Sequence, residues 1–266
     1  MRFFRLPAYF VTLCLVLYLA LSVTTAAALA SGAGEAEKVR LKAYRANLLT
    51  SDEERIVGER LAYLYEQRHT LLKDAGTQAR LDRIKARIHS ATLHPALEIK
   101  IIKGARPEAV SFPPGRIYIT SALVSLTSTD DELAAVIAHE AAHITNHHLA
   151  HLIALALVLP PGEQERFPGR SAIITGQALQ FAFPSILDQA RLRCEMEADQ
   201  TALRWLERSG YRPFALAALL KNLAARFPHQ ALSERAALQA RLAQLRRATL
   251  SFSKIESEAG SQGFSN

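Results

Sequence analysis

Two histidines, His139 and His143, stand four residues apart with Glu140 directly after the first, in the run His139-Glu140-Ala141-Ala142-His143. Residues i and i+4 of a helix lie on one face about one turn apart, so both imidazoles can reach the same point in space. A zinc ion suits two neutral imidazoles at that spacing, and the intervening carboxylate then faces water bound beside them. A catalytic zinc takes three protein ligands and keeps a further position for water, so the third ligand must come from elsewhere. The extension that would supply another histidine in the same segment is missing, because Asn146 occupies the position of its glycine and Leu149 that of its histidine. A glutamate from a later helix is the alternative, and Glu195-Met196-Glu197-Ala198-Asp199 offers one. Glu195 and Asp199 share a helical face. Glu195 can then ligate the metal while Asp199 accepts the free N–H of a ligating imidazole, fixing its tautomer and raising its basicity. Glu197 is the rival ligand, roughly opposite Asp199 on the same helix.

Three other residues invite chemistry and receive a plainer reading. His147 and His151 continue the His139/His143 face at four-residue steps, but residues two or three turns away cannot reach one ion, so they read as surface or supporting histidines. Cys194 adjoins Glu195 on the helix, points away from it, and reads as a buried structural thiol.

The elements that position these residues follow from pattern and punctuation. Thr129-Asp130-Asp131-Glu132 is a capping box that starts a helix, with acidic groups at the positive end of its dipole. That helix is expected to run to Leu159, where Pro160-Pro161-Gly162 stops it. Upstream, residues 35–89 carry apolar positions at helical spacing and read as two helices broken near Asp74-Ala75-Gly76. Strand-type runs follow at Leu97–Ile102 and Arg116–Thr120, with Pro113-Pro114-Gly115 as the turn between them. Downstream of a polar loop at 162–170 and an apolar stretch at 173–187, helices are expected at Asp188–Ser209, Phe214–Ala225 and Ser233–Thr249. Gly210-Tyr211-Arg212-Pro213 separates the first two. The fold class is therefore α+β and predominantly helical, with a small antiparallel sheet and an N-terminal helical segment.

The chain has 266 residues, 49% hydrophobic and 21% charged, enough for one generous domain with a helical appendage. Its net charge of +7 comes from 32 Lys+Arg against 25 Asp+Glu dispersed along helices. No basic, aromatic-interleaved stripe of a nucleic-acid reader is present, so no nucleic-acid partner is expected. Cys14 and Cys194 provide no disulfide framework. At the N-terminus, Arg2 and Arg5 precede an uncharged stretch from Leu6 to Ala30 that ends in Ala28-Leu29-Ala30 and Ser-Gly-Ala-Gly. That order reads as a secretory signal, with a retained membrane anchor as the competing reading. Either way the rest of the chain faces a non-cytoplasmic compartment. The domains are then 1–30, signal peptide or anchor; 35–90, a helical segment packing on the catalytic domain; 97–250, the metal-binding domain; and 251–266, a Ser/Gly-rich disordered tail.

HEAAHITNHH followed by CEMEADQTAL resembles the HtpX, BepA and CAAX prenyl protease type 1 family of gluzincin metallopeptidases. SFPPGRIYITSALVSLTSTDDELAAVIA upstream is similar to that family's strand-turn segment, and LERSGYRPFALAALLKNL downstream to its helix pair after the third ligand. The resemblance covers roughly Leu97 to Leu245. It implies a zincin-like metallopeptidase domain holding one Zn²⁺ on His139, His143 and Glu195, with Glu140 as catalytic base. His229, in FPHQALSER before Arg235, resembles a late family histidine that stabilises the oxyanion or caps the metal. The chain departs from the family pattern in having Gln230 where proline is usual and Glu108-Ala109 where Asn-Ala is usual. Arg191 and Arg193 stand near the missing Ser-Arg pair.

The function so implied is a zinc-dependent metalloendopeptidase that hydrolyses peptide bonds of misfolded envelope or periplasmic proteins. It would be exported or anchored facing the periplasm, and Arg116–Thr120 would hold an extended peptide as an added strand. The alternative is a latent zinc-binding, chaperone-like module with little turnover. Protein or peptide is the expected partner, with membrane association through the N-terminus if the leader is retained.

Overall fold

The structure is a computed structural model that describes residues 49–92, 96–157, 184–226 and 235–248. The segment 1–30, the loop and apolar residues between 158 and 183, His229 and the tail 251–266 lie outside the described residues. Helix α1, Ser51–Glu66, opens on Thr50, whose hydroxyl accepts from Glu53 N while the Glu53 carboxylate accepts from Thr50 N. A two-residue strand β1, Leu71–Leu72, precedes helix α2, Ala75–Thr92. The break between them matches the expected one, and the Asp74 carboxylate caps α2 by accepting from the Thr77 N–H and hydroxyl.

Strands β2 (Glu98–Ile102), β3 (Ala109–Phe112) and β4 (Arg116–Thr120) complete a four-stranded sheet in the order β1-β2-β4-β3. The sheet is mixed, which corrects the antiparallel expectation: β1 and β3 pair antiparallel to their neighbours, but β2 and β4 run parallel. After β2 the chain crosses to the far edge, forms β3 there, and turns at Pro113-Pro114-Gly115 back into the gap. β4 therefore runs in the direction of β2. This insertion also overturns Arg116–Thr120 as a strand that could accept a peptide, since β4 is paired on both sides. The strand at the sheet's edge beside the helices is β3.

Pleating divides the sheet by residue parity. Ile99, Ile101, Ala109, Ile117 and Ile119 face the main core, whereas Ile102, Val110, Phe112 and Tyr118 face α1 and pack with its Ala62 and Tyr65. The main core is completed by α2 through Leu81, Ile84 and Ile88, and by the helices that follow the sheet. These are α3 (Ser121–Leu126), α4 (Asp130–Thr145), α5 (His148–Leu157), α6 (Pro184–Arg208), α7 (Phe214–Arg226) and α8 (235–248). All but α5 contribute to this core, and α5 instead packs Ala150 and Ile153 against Val57 of α1 in a separate cluster.

Helix α4 is the axis of this core, buried from Leu133 to Ile144. Apart from His139, Glu140 and His143 this span is apolar, and a helix of that kind belongs inside a domain. Its start is the expected capping box at Thr129, and Arg80 and Arg212 hold the Asp130 and Asp131 carboxylates of its first turn. Its end differs from the expectation. The helix stops at Thr145, and His147 sits in the left-handed region with φ of 54° before α5 begins. A side chain other than glycine is costly there, and the break is held by the Glu54 carboxylate of α1, which lies 2.6 Å from His147 Nδ1. The stop after α6 is the one expected: Gly210 has φ of 68°, and Tyr211 N–H donates to Leu206 O in a Schellman cap.

The contact between α1 and the β3–β4 turn depends on Gly58, where a Cβ would come within 2.1 Å of Pro113 O. Gly58→Ala is expected to lower stability by about 1–3 kcal/mol in urea unfolding. Gly76→Ala, whose Cβ would meet nothing nearer than Asp74 Oδ1 at 3.5 Å, is expected to be neutral or slightly stabilising by the same measurement.

Candidate active site

Helices α4 and α6 pack against each other, and both carry fully buried alanines: Ala134, Ala138, Ala141 and Ala142 on one, Ala198 and Ala202 on the other. Small buried residues on packed helices leave room for longer polar side chains from both to meet. His139 and His143 project from α4, and Glu195 from α6, so that one ligand atom from each lies within 4.8 Å of the other two. His139 Nε2 and His143 Nε2 are 3.0 Å apart, and the Glu195 oxygens lie 3.3 Å and 3.5 Å from them. Donors around one tetrahedral zinc are separated by ~3.3 Å at ordinary Zn–N and Zn–O lengths, so these three side chains fit such an ion.

The surroundings of the three donors are charged and largely buried. Asp199, fully buried one turn after Glu195, lies 3.0 Å from His139 Nδ1, off the N–H axis and thus as an ion-pair contact more than an aligned hydrogen bond. Burial alone would lower the proton affinity of His139, but Asp199 and Glu195 outweigh it and raise its pKa to about 10. Burial pushes His143 well below its ordinary value, so the pair holds one proton-rich and one neutral imidazole. Glu195, which burial would raise, is held down to about 2 chiefly by Arg241 and the neighbouring histidines. Asp199 is likewise held below the usual carboxylate range despite burial, mainly by Arg241.

Arg241 was not legible as a site residue. Its guanidinium grips Asp199 with Nε to Oδ2 at 2.8 Å and Nη2 to Oδ1 at 2.7 Å, while Nη1 lies 2.8 Å from Glu195 Oε2. The arginine singled out by resemblance was Arg235, which stands exposed at the first residue of α8. Arg241 lies further along the same helix, on the stripe of Leu238, Leu242 and Leu245 that packs into the core. A charged residue within an apolar helical stripe was the available signal.

Glu140 points from α4 toward the sheet, where its Oε2 accepts from the Ser111 hydroxyl of β3 at 2.8 Å. Burial raises its pKa. Ser111 was not anticipated; its odd position in β3 places it on the face of the sheet turned toward α4. Glu197, the rival ligand, lies away from the three donors, with Oε2 3.3 Å from His148 Nε2. His147 contacts Glu54, and the ring of His151 lies 6.3 Å from that of His148. Cys194 is a buried thiol. His229 lies outside the described residues.

Two buried imidazoles and a carboxylate on crossed helices, with a further glutamate beside the edge strand of a small sheet, define a zincin-like metallopeptidase domain. The profile of Peptidase family M48 matches residues 73–248, and the chain belongs to that family. It is 28% identical over 139 residues to a beta-barrel assembly-enhancing protease of Yersinia pestis, covering 47% of this chain and 27% of that one. The protein of the same name in Escherichia coli (strain K12) is 25% identical over 153 residues, with shares of 51% and 30%. The mitochondrial metalloendopeptidase OMA1 of Schizosaccharomyces pombe is 28% identical over 128 residues, with shares of 47% and 37%. The matched region thus spans well under half the length of each relative.

Removing Arg241 leaves two buried carboxylates without their shared cation. Breaking a buried pair by deleting one partner costs about 3–5 kcal/mol. Arg241→Met is therefore expected to destabilise the metal-free protein by about that amount in chemical denaturation, with Arg235→Met as a control that changes stability far less.

Proposed function

We propose that this chain is a zinc-dependent metalloendopeptidase in which Glu140 is the general base. The observation that carries this reading is the convergence of His139, His143 and Glu195 on one point, with Glu140 buried beside them. A bound zinc would supply Lewis acidity to the scissile carbonyl and to the attacking water. Glu140 takes the proton of that water and returns it to the leaving amine. Its environment supports both proton transfers, since burial raises the proton affinity of the carboxylate and the Ser111 hydroxyl restrains one oxygen while the other stays available. Asp199 and Arg241 hold His139 and Glu195 in place. His229 is proposed as the oxyanion donor or the resting cap on the metal.

An extended substrate would add to the sheet along β3, the edge strand whose Ser111 touches Glu140. Main-chain pairing gives affinity with little demand on sequence. Loose specificity suits quality control of misfolded envelope or periplasmic proteins, and the leader-like segment from Arg2 to Ala30 supports an exported location; the bacterial relatives are named as proteases that enhance beta-barrel assembly. Export, with the domain facing the periplasm, belongs to the same proposal.

The test is zinc content together with casein hydrolysis for the purified chain and its Glu140→Gln variant. Stoichiometric zinc in both, with hydrolysis reduced at least ~100-fold only in the variant, is the expected result. Zinc in both without hydrolysis in either would favour a latent, chaperone-like module, and absence of zinc would overturn the ligand set.

A further inference from the structure

We infer that His148 and Glu197 form a positioning relay behind His143, setting the orientation and basicity of that metal-ligating imidazole. The inference rests on the zinc site proposed above and extends it to residues with no role there.

His148 is buried, with 2% of its surface exposed, and its Nδ1 lies 2.9 Å from His143 Nδ1. Its other nitrogen, Nε2, lies 3.3 Å from Glu197 Oε2. Only one arrangement of protons satisfies this chain of contacts when His143 Nε2, the atom turned toward His139 and Glu195, ligates a metal. That nitrogen must then be free of its proton, which places the proton on His143 Nδ1. His143 Nδ1–H donates, so His148 Nδ1 accepts. His148 therefore carries its proton on Nε2 and donates it to the Glu197 carboxylate. Each ring is fixed in one tautomer, and the negative charge of Glu197 is transmitted to the ligand through two imidazoles. Carboxylate and carbonyl partners behind ligating histidines raise ligand basicity and restrict ring rotation in the same manner.

The relay pairs with the contact of Asp199 behind His139, so each ligating histidine has an acidic residue of α6 behind it, one directly and one through a second ring. It also gives the interruption of the zinc helix a purpose. Had α4 continued without a break, His147 would lie one turn beyond His143 on its face. The left-handed conformation at His147 instead turns His148 into that place, and Glu54 retains His147 outside. Local strain of this kind persists where surrounding contacts over-determine it.

The test is zinc affinity by chelator competition on the full chain, with the visible spectrum of the cobalt-substituted protein recorded in parallel. His148→Leu is expected to weaken zinc binding about 10–100-fold and to shift the cobalt bands. His148→Asn, whose Oδ1 can replace Nδ1 as acceptor, is expected to recover most of the affinity and the parental spectrum. Glu197→Gln, at the half-exposed end of the relay where folding is not at risk, is expected to weaken binding by a smaller factor. Parental affinity in His148→Leu, or equal losses in the Leu and Asn variants with an unchanged cobalt spectrum, would overturn the relay in favour of simple packing. If His148→Leu fails to fold, parental affinity in Glu197→Gln overturns it alone. A parent chain that takes up no zinc overturns the metal site itself, and this inference with it.

Discussion

The hub of this molecule is a charge balance struck among largely buried groups. Two carboxylates, Glu195 and Asp199, are drawn into the protein on α6 opposite two imidazoles of α4, and the Arg241 guanidinium reaches both acids from α8. None of these groups would be stable there alone, since removing a charge from water without a partner is costly. Together they neutralise one another, and the low dielectric around them strengthens each contact. The rest of the fold serves this meeting point. Helices α4 and α6 bring the acids and imidazoles together, the Thr129 cap fixes where α4 starts, and the apolar stripe of α8 carries Arg241 inward.

The sheet contributes through parity more than through size. Alternate residues of its strands face α4 or α1, so one odd-numbered position of β3 presents a hydroxyl to Glu140 while its even-numbered neighbours pack against Tyr65 and Tyr118. The same insertion of β4 between β2 and β3 that makes the sheet mixed also moves the open edge onto β3. Topology, more than the composition of any strand, thereby decides which backbone lies next to Glu140.

The interruption after Thr145 shows how a local cost can be tied to a distant residue. A left-handed conformation is uncommon for any residue but glycine, and here α1, far earlier in the chain, supplies the carboxylate that receives His147. Helix α1 is thus coupled to the end of α4 through one buried glutamate, besides covering the outer face of the sheet.

What the sequence determined by itself is whatever depends on short spacing. The i, i+4 pair of His139 and His143, the Glu195/Asp199 face, the capping box at Thr129 and the Gly210 stop are all local patterns, and a helix converts each into geometry without reference to the rest of the chain. The runs of β2 and β4 were legible for the same reason, whereas β1 and β3 were not read as strands, and Pro113-Pro114-Gly115 joins β3 to β4 instead of β2 to β4. The mixed pairing of the sheet was not, because strand order depends on where the chain crosses and not on the strands themselves. Arg241, Ser111 and His148 were likewise hidden. Each acquires its role from a partner on another element: Arg241 from the acids of α6, Ser111 from Glu140, His148 from a kink held by Glu54. Which buried charges find partners is settled only when helices and sheet pack, since the desolvation that makes a partner necessary does not exist in the extended chain.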